Sequence, residues 1–218
     1  MRVAACMTPK IDSPTLEYEQ GLWQSRFKHV AGFDEAGRGA LAGPVAVAAV
    51  ILPLNPRLTR TLAGVRDSKQ MTARQRETWA ARIKSVALAW RVEFSSVEEI
   101  DQIGIAPATR LAAVRVLEKL AITPDYLLLD FRLDLPESPL PQTALVKGDQ
   151  ISLSIAAASV LAKTTRDALM CELDGQYPGY GLEKNKGYGT QAHRSAMRRM
   201  GYSSAHRKSF VLKELRST

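Results

Sequence analysis

The chain has 218 residues, 45% of them apolar, and a formal net charge of +8, which suits a globular protein with one sizeable core, or one domain with a small appendage. Two distant cysteines, Cys6 and Cys171, argue against a disulfide framework or a cysteine zinc site and fit a reducing, cytoplasmic compartment. The longest apolar run, residues 40–52, contains Gly43 and Pro44 and is too short to span a bilayer, and no long apolar stripe is left over, so a monomer is expected.

The opening MRVAACMTPK has too short an apolar run for a signal peptide and reads as a disordered tail. Leu16, Tyr18, Leu22 and Trp23 suggest a short helix on the domain edge. Residues 30–35 read as a strand and 45–52 as a second, buried one, together a hairpin ended by Pro53 and Pro56. Asp67-Ser68-Lys69 falls in a polar loop. Thr72 is placed to cap a helix over 73–83, and 86–94 alternates as a third strand. Ser96 opens a short turn or helix. Residues 105–120 form an amphipathic helix with Pro107 near its start and Leu111, Val114 and Leu117 on one face. Residues 126–129 are a short apolar strand ending in Asp130. A proline-rich loop, 132–141, leads to another short strand at 144–146 and then Lys147-Gly148-Asp149.

An alanine-rich helix covers 154–173, a glycine-rich loop 177–189, and Thr190 caps a basic helix to about Met200. Residues 182–218 hold nine Lys and Arg against two acids, while the remainder is nearly balanced. Such a segment suits a polyanion such as nucleic acid, or is a solvated basic tail. Three early strands, then alternating helices and short strands, argue an α/β sheet domain with a small helical C-terminal part.

Val30–Gly39, VAGFDEAGRG, concentrates charge between two apolar stretches. Carboxylates are rarely buried unless paired or bound to a cation. Asp34 and Glu35 end one strand, Asp130 ends another, and Asp167 lies on the alanine-rich helix. Neighbouring strand residues face opposite sides, so Asp34 and Glu35 converge only if the strand ends or bends there. Clustered carboxylates without His or Cys select a hard cation, Mg²⁺ or Mn²⁺, and paired hard cations suit phosphodiester cleavage. Simpler readings stand beside these. Asp34-Glu35 could pair with Arg38, Asp130 could be a turn residue, and Asp167 could pair with Lys163 or Arg166.

Residues 30–210 resemble bacterial ribonuclease HII. The matching blocks, in order, are GFDEAGRGALAGPVAVAAVIL, DSK at 67–69, LLLD at 127–130, VKGD at 146–149, ASVLAKTTRD at 158–167, YPGYGLEKNKGYGT at 177–190 and HRKSF at 206–210. The resemblance implies a ribonuclease H-like fold, with a mixed central sheet flanked by helices and a small C-terminal helical region. It divides the chain into an N-terminal extension (1–28), a catalytic domain (29–175) and a basic helical substrate-binding region (176–218). It implies cleavage of RNA in RNA–DNA hybrids and nicking of duplex DNA 5′ of embedded ribonucleotides, leaving 5′-phosphate and 3′-hydroxyl ends. Two Mg²⁺ or Mn²⁺ ions would be held with substrate bound. By matched motif, Asp34, Glu35, Asp130 and Asp167 are the catalytic and metal-binding acids. Gly37, Arg38 and Gly39 read the ribonucleotide, Tyr188 packs on the sugar at the RNA-to-DNA junction, and Lys69, Lys147 and Lys186 contact phosphates. Without the motif, Tyr188 would read as a core aromatic.

The chain departs from the family pattern at Phe131 and Arg132, where glycine and asparagine are usual, and at Asn185, Ser154 and Ala156. Those changes bear on the orientation of the acids and on metal preference more than on reaction type. A ribonuclease HIII-like enzyme is a competing reading, but it would carry a substantial extra N-terminal domain, and fewer than 30 residues precede Val30. A non-catalytic hybrid-binding protein would have no need of four acids, which repel phosphate unless metals intervene. A small-molecule phosphatase would have no need of the basic tail.

Overall fold

Residues 13–131 and 133–210 are described by the structure, a computed structural model. The readings made of MRVAACMTPK, Cys6 and Arg132, and the last stretch of the basic segment, lie outside them. Helix α1 (Glu17–Gln24) precedes strands β1 (Val30–Ala36) and β2 (Val45–Ile51). A single turn, α2 (Leu58–Thr61), and a 3-10 turn (Ser68–Gln70) lead into α3 (Ala73–Val86), β3 (Ala89–Ser95), α4 (Val97–Ile103) and α5 (Ile105–Lys119). Then come β4 (Tyr126–Asp130), β5 (Gln142–Leu145), α6 (Gly148–Ile151), α7 (Leu153–Gln176), α8 (Leu182–Asn185) and α9 (Gln191–Met200).

The strands form one mixed sheet in the order β3-β2-β1-β4-β5. The first three run antiparallel, and β1–β4 and β4–β5 run parallel. Both faces of the sheet are covered, which is why β1 and β2 read as near-continuous apolar runs. On one face Ala31, Phe33, Val47, Ala49, Ile51, Leu127 and Leu129 pack against Ala112, Ala113 and Val116 of α5. Fully buried side chains of this kind are each worth about 1.5–3 kcal/mol for the larger apolar types. On the other face α7 crosses β1 at close range. Gly32 makes that approach possible, because a Cβ there would lie 2.3 Å from the backbone carbon of Ser154.

Local signals set several helix starts. Thr72 with Gln75, and Ser96 with Glu99, form capping boxes, and the Thr190 hydroxyl accepts from His193 N. The helix expected over 73–83 runs on to Val86, which delays β3 to Ala89. In α5 the residues facing the core are Ala108, Ala112, Ala113 and Val116, and Val114 is 39% exposed. Small side chains let the helix lie close to the sheet, so the larger Leu111–Val114–Leu117 row is displaced to the flank. The polar loop expected at 67–69 forms the 3-10 turn, and the loop expected over 177–189 contains the single turn α8.

Helix α1 is tied in firmly. Leu16 is buried, and the buried Glu19 carboxylate accepts from Ser152 Oγ (2.7 Å), Ser154 N (2.9 Å) and Ser154 Oγ (2.6 Å) at the start of α7. A carboxylate is favoured at a helix N-terminus by the exposed N–H groups and the helix dipole. Ser154, one of the departures from the family pattern, is thereby occupied. Among the described residues no helix is long and apolar enough to cross a membrane.

Candidate active site

The β1–β4 ladder runs from Val30–Tyr126 to Phe33–Leu129, whereas the β1–β2 ladder continues to Ala36–Ala46. Strand β1 therefore does not end at Asp34 but runs on to Ala36. It is β4 that stops, at Asp130. Alternation puts Asp34 and Asp130 on the α7 face and Glu35 on the other. Beyond the last β1–β4 pair no strand flanks β1 on the β4 side, so all three carboxylates can meet at the sheet's carboxyl edge. Their oxygens lie within 4.8 Å of one another.

Partners within the protein only partly satisfy them. Asp34 Oδ1 accepts from Glu35 N (2.8 Å), and Asp130 Oδ1 accepts from Gly148 N (2.9 Å). Arg38 Nη1 is 3.8 Å from Glu35 Oε1. Glu35 Oε2 is buried with no hydrogen-bond partner. Burial pushes the Asp34 carboxyl well above its ordinary range, and the charges of Glu35, Asp130 and Asp149 add to this, against a hydrogen bond from Ser159. Burial also raises Glu35, followed by the charge of Asp130, with Arg38 and Lys69 opposing. These acids cannot all ionise comfortably without added positive charge. A compact set of carboxylate oxygens lacking His and Cys, with a buried orphan among them, fits a hard divalent cation.

Two further acids belong to this edge, and neither was singled out from sequence. Asp67 and Asp149 are buried, with Lys69 Nζ 3.9 Å from Asp67 Oδ1 and 3.7 Å from Asp149 Oδ2. Burial and then Asp67 push Asp149 up to about 6, against the pull of Lys69. Burial works to lower Lys69, but Asp67, Asp149, Asp34 and Asp130 outweigh it and raise it. The available signal was in DSK and VKGD, whose lysines drew attention and whose aspartates did not.

Asp167 is not among the clustered acids. On α7 it accepts from Lys163 Nζ (2.6 Å) and Arg76 Nη2 (3.1 Å), which is the ion-pair reading of that residue. Lys186 donates to Cys171 Sγ (2.8 Å) and Asp167 O (3.2 Å), and lines a neighbouring pocket with Arg76 and Thr164. Lys147 is exposed, in the left-handed region ahead of α6. Gly37, Arg38, Gly39, Lys69 and Tyr188 do line one cleft of ≈ 410 Å³ with Asp34, Glu35 and Asp130. Tyr188 is 36% exposed, so it is not a core aromatic, and Lys163 Nζ lies 5.4 Å from its ring centre.

Gly37 is obligatory for the fold. Its φ is +89°, and a Cβ would lie 1.8 Å from Arg166 Nε. Gly39 has neither constraint, since a Cβ there would meet nothing within 4 Å. Phe131 is 59% exposed, and its N–H donates to Leu145 O, so it leaves the Asp130 side chain unobstructed. Asn185 donates to Tyr180 O (2.7 Å) and accepts from Gly187 N (2.7 Å), bracing the left-handed turn at Lys186. The C-terminal region only partly offers its charge outward. Lys184, Arg198, Arg199 and Lys208 are exposed, but Arg207 is fully buried in the domain.

Comparison with known proteins gives concordant matches. The family described as Ribonuclease HII matches residues 31–213. The ribonuclease HII of Synechococcus sp. (strain JA-3-3Ab) is 54% identical over 204 residues, covering 93% of this chain and 90% of that protein. The structure of the PCNA:RNase HII complex from Archaeoglobus fulgidus matches with a TM-score of 0.71 at 25% identity, covering 85% of this chain and 96% of the other. The ribonuclease H2 of Pyrococcus horikoshii OT3 matches with a TM-score of 0.69 at 25% identity, covering 83% and 93%. With the family pattern running through nearly all of the sheet, the acid edge and the C-terminal helices, this chain belongs to the ribonuclease HII family.

Proposed function

We propose that this protein is a metal-dependent endoribonuclease that cleaves the RNA strand of RNA–DNA hybrids and nicks duplex DNA on the 5′ side of an embedded ribonucleotide, leaving 5′-phosphate and 3′-hydroxyl ends. One observation carries the reading. Asp34, Glu35 and Asp130 converge within 4.8 Å in the same cleft as the Gly37-Arg38-Gly39 turn and Tyr188. Chemistry and recognition thus share one surface.

Asp34, Glu35 and Asp130 would hold the cation, with Asp149 rather than Asp167 as the further acid whose charge acts on Asp34. Bound there, Mg²⁺ or Mn²⁺ would polarise the scissile phosphate and lower the pKa of a water nucleophile. The protein's own groups orient the substrate. Gly39 needs no glycine for packing or for backbone angle, so its bare backbone serves close approach by a sugar, whose 2′-hydroxyl distinguishes RNA from DNA. Tyr188 presents a half-exposed ring for the neighbouring deoxyribose. Lys69, Arg38 and Lys163 supply positive charge for the phosphates around it. Asp167 then serves to hold Lys163 and Arg76 in place.

The test is a DNA duplex containing one ribonucleotide, incubated with the purified protein and Mg²⁺ or Mn²⁺. A single nick 5′ of the ribonucleotide is expected. Intact substrate with both metals overturns the proposal, even if the duplex is bound.

A further inference from the structure

Two arginines are among the largest fully buried side chains, Arg166 on α7 and Arg207 near the C-terminal end. Neither is in an ion pair with a carboxylate among the described residues. Their hydrogen bonds go to backbone carbonyls, and Arg207 also lies 5.1 Å from the Phe210 ring centre. Arg166 donates to Pro44 O (2.9 Å), Lys186 O (2.8 Å) and Ala42 O (3.0 Å). Arg207 donates to Gly43 O (2.9 Å), Arg38 O (2.9 Å) and Gly37 O (2.8 Å). Five of these six carbonyls belong to the 37–44 loop that joins β1 to β2. Burying a guanidinium is costly, and apolar replacements often serve stability as well or better. What an apolar side chain cannot do is set the direction of consecutive carbonyls. A planar fork of five N–H donors can.

The same contacts tie the loop to Tyr188. The Arg166 guanidinium occupies the space a Gly37 side chain would need, and it also lies 5.6 Å from the Tyr188 ring centre. Leu41 N and Ala42 N donate to Gly187 O (2.8 and 3.3 Å). A second link runs through two buried histidines. Ser203 N donates to His206 Nδ1 (3.1 Å), so His206 carries its proton on Nε2 and donates to His193 Nε2 (3.1 Å). His193 is left to donate from Nδ1 to Tyr188 O (3.0 Å). The segment bearing Arg207 is fastened from outside the cleft. The Asp101 carboxylate on α4 accepts from Lys208 N (2.9 Å), Ser209 N (2.8 Å) and Ser209 Oγ (2.6 Å).

We propose that Arg166 and Arg207 are positioning residues for ribonucleotide recognition. They hold the Gly37-Arg38-Gly39 turn at a fixed placement relative to Tyr188, and Asp101 keeps Arg207 seated. This rests on the function proposed above, in which turn and tyrosine read adjacent nucleotides. Mis-setting either by about 1 Å costs up to about a hundredfold in such systems.

The experiment uses the full chain carrying Arg207→Lys, which retains charge but loses the fork, and Asp101→Ala, which leaves the core intact. Hydrogen exchange is followed at 37–44 and 186–190, Mn²⁺ affinity is measured without substrate, and kcat and KM are measured on the single-ribonucleotide duplex. Faster exchange in both segments, unchanged Mn²⁺ affinity, and a KM raised about tenfold or more for Arg207→Lys and less for Asp101→Ala are expected. Unaltered exchange, or unaltered KM, in a folded variant overturns the proposal, as does a loss confined to kcat with weakened Mn²⁺ binding. If Arg207→Lys does not fold, Asp101→Ala decides by the same criteria. A wild-type protein that fails to nick would refute the function proposed above, while the exchange data would still decide whether turn and tyrosine are coupled.

Discussion

Two regions of this molecule bury like charges, and they resolve the cost in opposite ways. At the carboxyl edge of β1 and β4, Asp34, Glu35, Asp130 and Asp149 are gathered with few donors, and Glu35 Oε2 has none. Beneath the 37–44 loop, Arg166 and Arg207 are gathered with a carbonyl for each of their six guanidinium nitrogens. The first region is electrostatically unfinished and calls for an added cation. The second is complete and calls for nothing. A buried charge therefore marks a ligand site only where the protein leaves it unsatisfied. Gly37 stands on the boundary, lining the acid cleft on one side and packed on Arg166 on the other.

The contrast breaks most sharply at Asp130. Asp130→Asn keeps shape and removes charge from the unfinished side. Turnover should fall about a thousandfold or more, since an ion held at a phosphoryl centre supplies several kcal/mol. Binding of the duplex should persist. Wild-type turnover in this variant would remove Asp130 from the site.

Stability against pH sharpens the comparison, because the two regions carry opposite signs. Asp149 is raised from 3.8 to about 6, so the native state holds a proton that the unfolded chain has already released. Metal-free stability should then fall as pH rises through that window. Saturating Mg²⁺ should abolish the fall. His206 is lowered from 6.5 to about 4 by burial and then by His193. There the unfolded chain gains the proton first, so the contribution is complete above 6.5 and is lost as pH falls toward 4. Thermal unfolding from pH 4 to 7, with and without Mg²⁺, in wild type and His206→Gln, separates the terms. A pH slope indifferent to Mg²⁺ would show that the acid edge is not a cation site.

The smallest expected effect is at Tyr188, the exposed member of the junction between the regions. Tyr188→Ala should weaken cleavage of the single-ribonucleotide duplex about tenfold, as lost aromatic stacking does. Its melting temperature should drop only slightly, since the ring is 36% exposed. Unfolding would instead return Tyr188 to a core role.

Much of the architecture was legible locally. Apolar runs marked β1, β2 and β4, and Thr72, Ser96 and Thr190 marked helix starts, because caps and periodicity depend on neighbours in sequence. The acids Asp34, Glu35 and Asp130 stood out because they end apolar strands. Asp149 did not, since it follows a glycine in a polar motif and looks like a surface turn. Asp167 stood as a candidate beside an ion-pair reading with Lys163 or Arg166, and α7 turns it toward Lys163 and Arg76. Arg207 read as one more cation in a basic tail.

Local pattern was enough to mark which segments are buried, where helices start, and that acids lie at strand ends. Which of those acids meet, and which cations turn inward, follows from packing between distant segments. The parallel placement of β4 beside β1, one strand stopping short of the other, brings Asp130 to Asp34 and Glu35. The docking of residues 201–210 beneath the 37–44 loop buries Arg207. Both depend on contacts between residues about a hundred or more apart in the chain, and no local pattern records whether a charged side chain will meet a carbonyl, a carboxylate or water.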